Sequence, residues 1–459
     1  MSGGLLLERW RRVRLPLFSV SALFAVYAAL AVRRHLTFHT AGWDLGIFEQ
    51  AIRNYAAFRA PVAVLKGPGY NLLGDHFHPI LVVLAPFYSL FPSPITLLVA
   101  QAFLFALAAW PLVASARRRL GSRVAVAIGV IYGLSFGIAS AVGFDFHEIA
   151  FAVPLIAFSL SALGEGRLRA AAAWAAPLVL VKEDLGLTVA VIGILIAVAG
   201  RRRLGLLLAS FGLGASIIEV AVLLPLINSA GGYSYWAKLA GHPLLTELFT
   251  GTGEKLVTLL LTFAISGFIA LRSPLAIVAV PTLIWRFTSH DANYWGTDYH
   301  YSAVLMPIVA AAMIDGLVRA RASRSPLLAR LPAWAVAVGI AVSVALVPFF
   351  PLSQMATAAL WQPNPHAAAV EKALSLVPDN VTVSASDNLV PQLTSRDTVT
   401  LFGLRPLARV RPEWIIVDPW STRHFVVSSS REHRDLLRAE HSGYHVVLRQ
   451  DGIVLLHRS

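Results

Sequence analysis

Long apolar runs, separated by short basic or polar segments, fill the first 350 residues of the chain. They lie near 15–32, 94–115, 124–142, 149–163, 168–181, 185–200, 206–227, 255–271, 274–285, 301–318 and 332–350. A helix crosses a bilayer with about 20 apolar residues, so several of these must borrow flanking residues. Only 14% of the 459 residues are charged, and 57% are hydrophobic. Globular chains run near 25% charged. So few charges cannot solvate a soluble surface, and the pattern predicts an all-α polytopic membrane domain of about eleven transmembrane helices. Disorder, fibrous repeats and small disulfide scaffolds are excluded. Cysteine is absent, which removes disulfide and thiolate chemistry.

The net charge of +13 would point a soluble chain toward nucleic acid. Here the basic residues sit mainly in short loops, so they read as topology signals and no nucleic-acid partner is expected. Glu8, Arg9, Arg11, Arg12 and Arg14 precede the first run, which lacks a small-residue cleavage site. It reads as an uncleaved signal anchor with a cytoplasmic N-terminus. Alternation then puts Arg117–Arg119, Arg123, Arg167, Arg169, Arg201–Arg203, Arg272, Arg319, Arg321, Arg324 and Arg330 inside. The outer segments are 33–93, 143–148, 182–184, 228–254 and 286–300. Residues 79–91 are too short to cross and read as a re-entrant or interfacial helix. No internal repeat of the inverted kind is evident.

Composition changes after Phe350. Residues 1–351 read as the membrane domain, and 352–459 as a small extracytoplasmic α/β domain. Within the latter, 367–376 and 432–440 read as helices. Residues 381–385, 398–402, 414–418, 444–448 and 453–457 read as strands.

Five polar clusters fall on the outer side. The first is Trp43-Asp44, followed by Leu45, Phe48, Ile52 and Tyr55 at helical spacing. Glu49, Gln50, Arg53 and Asn54 take the opposite face, which describes an amphipathic helix lying on the outer interface. Asp44 reads either as a helix cap or as a fixed carboxylate able to act as a base. The second is Asp75-His76-Phe77-His78, capable of proton relay or metal binding, or of ordinary turn chemistry. The third is Asp145, His147 and Glu148 at the mouth of two helices, where ionisable groups are costly unless paired or facing a cavity. The fourth is Lys182-Glu183-Asp184, a buried site or a solvated hairpin. The fifth runs from Arg286 through His290, Asp291, Asn293 and Trp295 to Asp298, His300 and Tyr301. Its aromatics and carboxylates suit sugar binding, or a plain interfacial belt.

WDLGIFEQAI (43–52), GDHFHP (74–79), FDFHE (144–148) and VKED (181–184) occur together and in order. With VSASDNLVPQLTSRD (383–397), they make most of the chain resemble a family of prokaryotic membrane proteins, the domain of unknown function 2079 family. More distantly, the layout is similar to the GT-C superfamily of integral membrane glycosyltransferases. That resemblance implies transfer of a sugar from a polyprenyl-phosphate carrier in the bilayer to a glycan, lipid or protein acceptor. Asp44 stands where the superfamily places its catalytic carboxylate. A DxD pair in the first outer loop and the WWD motif of oligosaccharyltransferases are both absent.

On this reading Asp44 is the candidate base, with Asp145 and Glu148 as further catalytic candidates. Arg53, Lys66, Lys182 and Arg286 are candidate phosphate ligands. Asp145, His147 and Glu148 would position the acceptor or hold a divalent cation, Mn or Zn as readily as Mg. Trp43, Glu49, Asp75, His76, His78, Glu183, Asp184, His290, Asp291, Asn293 and Trp295 complete the candidate binding set. No nucleotide-sugar site is evident. Two rivals are a transporter or lipid-linked sugar flippase, and a non-catalytic membrane scaffold. A transporter would gather its ionisable groups near mid-membrane, whereas here they gather at one end.

Overall fold

The structure, a computed structural model, describes residues 2–228, 232, 233, 235, 244–324, 326–362, 364–421 and 426–458. The side chains of residues 2–12, 244, 245 and 326–329 lie outside that description, including those of Glu8, Arg9, Arg11 and Arg12. Much of the outer segment expected at 228–254 also lies outside it.

Each expected apolar run is helical, but the helices differ in length. Among the described residues, Val13–Leu36, Pro94–Leu120, Arg202–Ile227 and Arg330–Phe349 are long and apolar enough to cross a membrane. Ser122–Gly133 and Phe136–Gly143, bent by 43°, make a fifth if they count as one span. The rest are shorter: Glu148–Gly164, Leu168–Leu180, Leu185–Val198 and Pro274–Thr288, with Thr252–Ala264 and Leu305–Arg321. Local chemistry ends several of them. Gly267 and Phe268 take positive φ just after Ala264, and proline opens the tight turns Ala176–Leu180 and Pro274–Ala279. Leu305–Arg321 is buried on every side along most of its length, as expected of a helix apolar all round. The run expected at 79–91 forms the short helical segments Pro79–Leu84 and Ala85–Leu90. Its Val82, Val83, Phe87 and Leu90 are exposed.

Leu185–Val198 and Arg202–Ile218 form a tight helical hairpin. Gly186 and Gly193 on the first helix face Gly205 and Gly212 on the second, and a Cβ at any of the four would overlap partner backbone. Small residues at such a seam let helices approach closely where lipid offers no hydrophobic driving force.

The C-terminal region carries the expected alternation. Helix Pro365–Leu376 precedes β1 (Thr382–Ala385), β2 (Thr398–Leu401), β3 (Trp414–Val417), helix Ser429–Glu440, β4 (Tyr444–Gln450) and β5 (Ile453–Arg458). Among the described residues the sheet runs β2-β1-β3-β5-β4, with β1 parallel to β2 and β3, and β5 antiparallel to β3 and β4.

This sheet docks on helix Ile47–Ala56, which corrects the expected interfacial helix. Leu45, Phe48 and Ile52 are buried as foreseen, but Glu49 and Gln50 are buried too. Gln50 donates to Val399 O (3.0 Å) and Arg53 to Thr394 O and Asp397 O (both 3.0 Å). Glu49 accepts from Tyr88 (2.9 Å) and from Thr394. The polar face meets protein carbonyls and hydroxyls rather than water.

Candidate active site

The geometry starts at the turn Gly42–Gly46, a single wide turn leading into helix Ile47–Ala56. The first N–H groups of a helical turn lack internal partners. Here no local side chain caps them: the N-cap is Ala41, and Asp44 does not cap. Ala41 N–H instead donates to Asp145 Oδ2 (3.1 Å), Gly42 N–H to Asp387 O (2.8 Å) and Trp43 N–H to Asp387 Oδ1 (2.9 Å). The helix-cap reading of Asp44 is thereby replaced, because distant groups satisfy those donors. The Asp44 carboxylate turns elsewhere, 3.3 Å from His147 Nε2, with its side chain 22% exposed.

His147 is held from below. Gln101, on helix Pro94–Leu107, accepts from His147 N–H (2.9 Å) and donates to Asp145 O (2.7 Å). The His147 ring stacks on His300 at 3.5 Å between centroids and on Phe144 at 5.3 Å. Burial, reinforced by the nearby positive groups, pushes His300 well below the usual imidazole range.

Beyond His147 the charges pair in series. Lys182 lies 3.1 Å from Glu148, His76 2.6 Å from Glu183 and Lys66 2.9 Å from Asp75. Glu183 also accepts from Phe77 N–H (3.2 Å) and Tyr233 (2.9 Å), and His76 stacks on Tyr235 at 4.4 Å. Burial alone would raise Glu183, but His76 and Lys182 outweigh it and hold it near 2. Burial opposes the charge on Lys182, yet Glu148, Asp184 and Glu183 raise its pKa. Burial lifts Asp184 to about 6 against the pull of Lys182. Lys66 also lies over the Trp43 ring, 5.0 Å from its centroid.

Two cavities meet at Asp44. The larger, about 570 Å³, runs past Trp43, Asp44, Phe144 and Tyr299 to Phe349 and Phe350 at the end of the last apolar helix. The smaller, about 150 Å³, is lined by Lys66, His76, Lys182 and His147 with the carboxylates of Asp44, Asp75 and Glu148. Trp43, Asp44 and Phe144 line both.

The sequence candidates thus divide. Trp43, Asp44, Lys66, Asp75, His76, His78, His147, Glu148 and Lys182 line the smaller cavity, with Asp291 and Asn293 at its rim. Glu183 and Asp184 border an adjoining space. Asp145 is 1% exposed and holds the Ala41 backbone. Glu49 and Arg53 face the C-terminal sheet. Arg286 is fully buried, and its guanidinium donates to Tyr294 O (2.7 Å), Gly296 O (2.6 Å) and Ser302 Oγ (3.1 Å). It ties its own loop together rather than facing the cavity. Trp295 is buried and donates to Ser289 O (2.8 Å), and His290 pairs with Glu247 at 2.9 Å. Asp387 and Tyr235 were not among the candidates. Asp387 had a signal, since it lies in the 383–397 stretch, but nothing local tied it to residue 42. Among the described residues, no three His, Asp or Glu side chains converge in a metal-binding arrangement.

The fold defines a mostly helical polytopic membrane protein with a small C-terminal sheet, and the polar cavity lies where the two meet. The chain belongs to the family described as predicted membrane protein (DUF2079), whose model matches residues 34–455. Among solved structures it is similar to ArnT from Cupriavidus metallidurans bound to undecaprenyl phosphate. The TM-score there is 0.57 at 14% identity, covering 95% of this chain and 97% of the other. The apo form of that protein gives 0.56 at 13% identity over the same shares. At this identity the likeness is one of fold. No curated protein sequence matches the chain.

Proposed function

We propose that the protein is a membrane glycosyltransferase that moves a sugar from a polyprenyl-phosphate carrier to an extracytoplasmic acceptor. Asp44 is the base. The observation that carries this reading is the position of its partly exposed carboxylate where the two cavities meet. The bound undecaprenyl phosphate of the similar ArnT structure supports a donor of that chemistry. In this reading the chain crosses the membrane eleven times, with its N-terminus inside and residues 352–459 outside.

The acceptor hydroxyl oxygen bonds to the anomeric carbon as the bond from that carbon to the phosphate oxygen breaks. The polyprenyl phosphate leaves with the electron pair, and Asp44 takes the hydroxyl proton. The larger cavity, reaching the apolar Phe349–Phe350 flank, admits the sugar and acceptor. Lys66 and Lys182 in the smaller one offset charge on the departing phosphate.

Asp44→Asn tests the base. Transfer from a polyprenyl-phosphate sugar should fall about 10²–10⁴-fold, while membrane insertion stays normal. Near-normal transfer by this variant would remove Asp44 from the chemistry. Solute movement across vesicles without any transfer by the unaltered protein would favour the transporter alternative.

A further inference from the structure

We propose that Asp387, in the loop after β1, is the positioning residue for Asp44. This rests on reading Asp44 as the base, and it gives the C-terminal sheet a part in catalysis. The contact is specific. Asp387 takes two consecutive N–H groups of the Asp44 turn, one on its main-chain oxygen and one on its carboxylate. The turn has no cap of its own, so its orientation depends on this borrowed one.

Packing fixes the same register. A Cβ on Gly42 would overlap the Val390 side chain, and one on Gly46 would come within 2.9 Å of Val390 Cγ1. Val390 stands three residues after Asp387 in the same loop. The two glycines of Gly42-Trp43-Asp44-Leu45-Gly46 are therefore the surface against which this loop seats. Arg53, Gln50 and Glu49 fasten the following helix to residues 394–399. Asp145 completes the hold through Ala41. The turn is gripped by two segments that meet only when the C-terminal sheet is docked, and a base displaced by about 1 Å can cost on the order of 10²-fold in rate.

Asp387→Ala and Asp387→Asn separate the possibilities, because Asn keeps a carbonyl oxygen for Trp43 N–H. Two readouts are needed. Hydrogen exchange in detergent or nanodiscs should give faster exchange at Trp43 in Asp387→Ala, near-normal exchange there in Asp387→Asn, and unchanged protection of β1 and β3 in both. Transfer from a polyprenyl-phosphate sugar should show kcat down about 10–100-fold in Asp387→Ala with KM for the donor within twofold, and most of the loss recovered in Asp387→Asn. Unchanged exchange at Trp43 in Asp387→Ala overturns the proposal whatever the protein catalyses. A rise in KM at constant kcat also overturns it, by making Asp387 a substrate contact. If the exchange result holds but the unaltered protein transfers no sugar, the proposed function fails and the cap stands.

Discussion

Arg286 displays the difference between a residue type and its use. Its sequence setting, among aromatics and carboxylates on a loop between apolar helices, fits a phosphate ligand. Its donors are spent on Tyr294, Gly296 and Ser302. Arg286→Ala should therefore act on stability. Leaving those buried acceptors unpaired costs at least about 3 kcal/mol, which thermal unfolding in detergent will register. A folded variant with raised donor KM and unchanged stability would restore the phosphate reading. Lys66 is the opposite case. It lines the cavity and meets Asp75 and Trp43 through side-chain contacts, so Lys66→Gln should raise donor KM about tenfold or more. The sequence made much of this cluster legible because ionisable residues in very short loops between apolar helices have few places to go. It could not reveal which backbone carbonyls would turn toward Arg286, since those carbonyls belong to every residue alike.

At the level of elements, the positions of the helices were legible from apolar runs, and their lengths were not. The runs do not disclose where a 3₁₀ turn or a positive φ cuts a helix short, as Gly267 and Phe268 do after Ala264. Nor did they disclose the glycine seam, which depends on two helices meeting face to face. The seam gives a sharp test. Gly205→Val places a side chain against Ala197 and Gly193 backbone, whereas a Cβ on Gly214, on the same helix, meets nothing within 4 Å. The first change should cost about 1–3 kcal/mol or more through overpacking, and Gly214→Val should be close to neutral. Thermal aggregation of the two purified variants compares them directly, and equal midpoints would mean the hairpin packs less closely than described.

For the molecule as a whole, the C-terminal strands were legible from alternation and turn signals, but their docking on residues 42–56 was not, because it joins segments more than 300 residues apart. Two buried carboxyls link this region to pH, Glu49 at the docking surface and Glu432 against Ser386 within the C-terminal region. Burial pushes both Glu49 and Glu432 up to about 7, against hydrogen bonds from Thr394 and Ser386 respectively. A carboxyl whose folded pKa lies above its ordinary value near 4.5 adds stability that is complete below about pH 4.5 and is lost as pH rises through 7. The bound sheet should resist proteolysis better at pH 5 than at pH 8, by roughly 3 kcal/mol per group at most. Glu49→Gln with Glu432→Gln should flatten that dependence, and an unchanged slope in the double variant would assign it elsewhere. The proposed sidedness has its own check: a reporter fused after residue 459 should be active only outside the cytoplasm.

The helix Leu185–Val198 has 14 residues, about 21 Å of rise. A hydrocarbon layer is about 30 Å thick. Its hairpin partner Arg202–Ile227 is long enough to cross, so one side of the hairpin matches the lipid and the other falls short. In the proposed eleven-span topology that shortfall is absorbed by thinning of the lipid or by flanking residues that reach for the surface. Thinning would draw headgroups toward the Lys182–Glu183–Asp184 turn at the start of the short helix. A carrier lipid's phosphate would then sit deeper in the protein than in the undisturbed bilayer. Activity should therefore vary with acyl-chain length in reconstituted vesicles, highest in thin bilayers and falling as the chains lengthen.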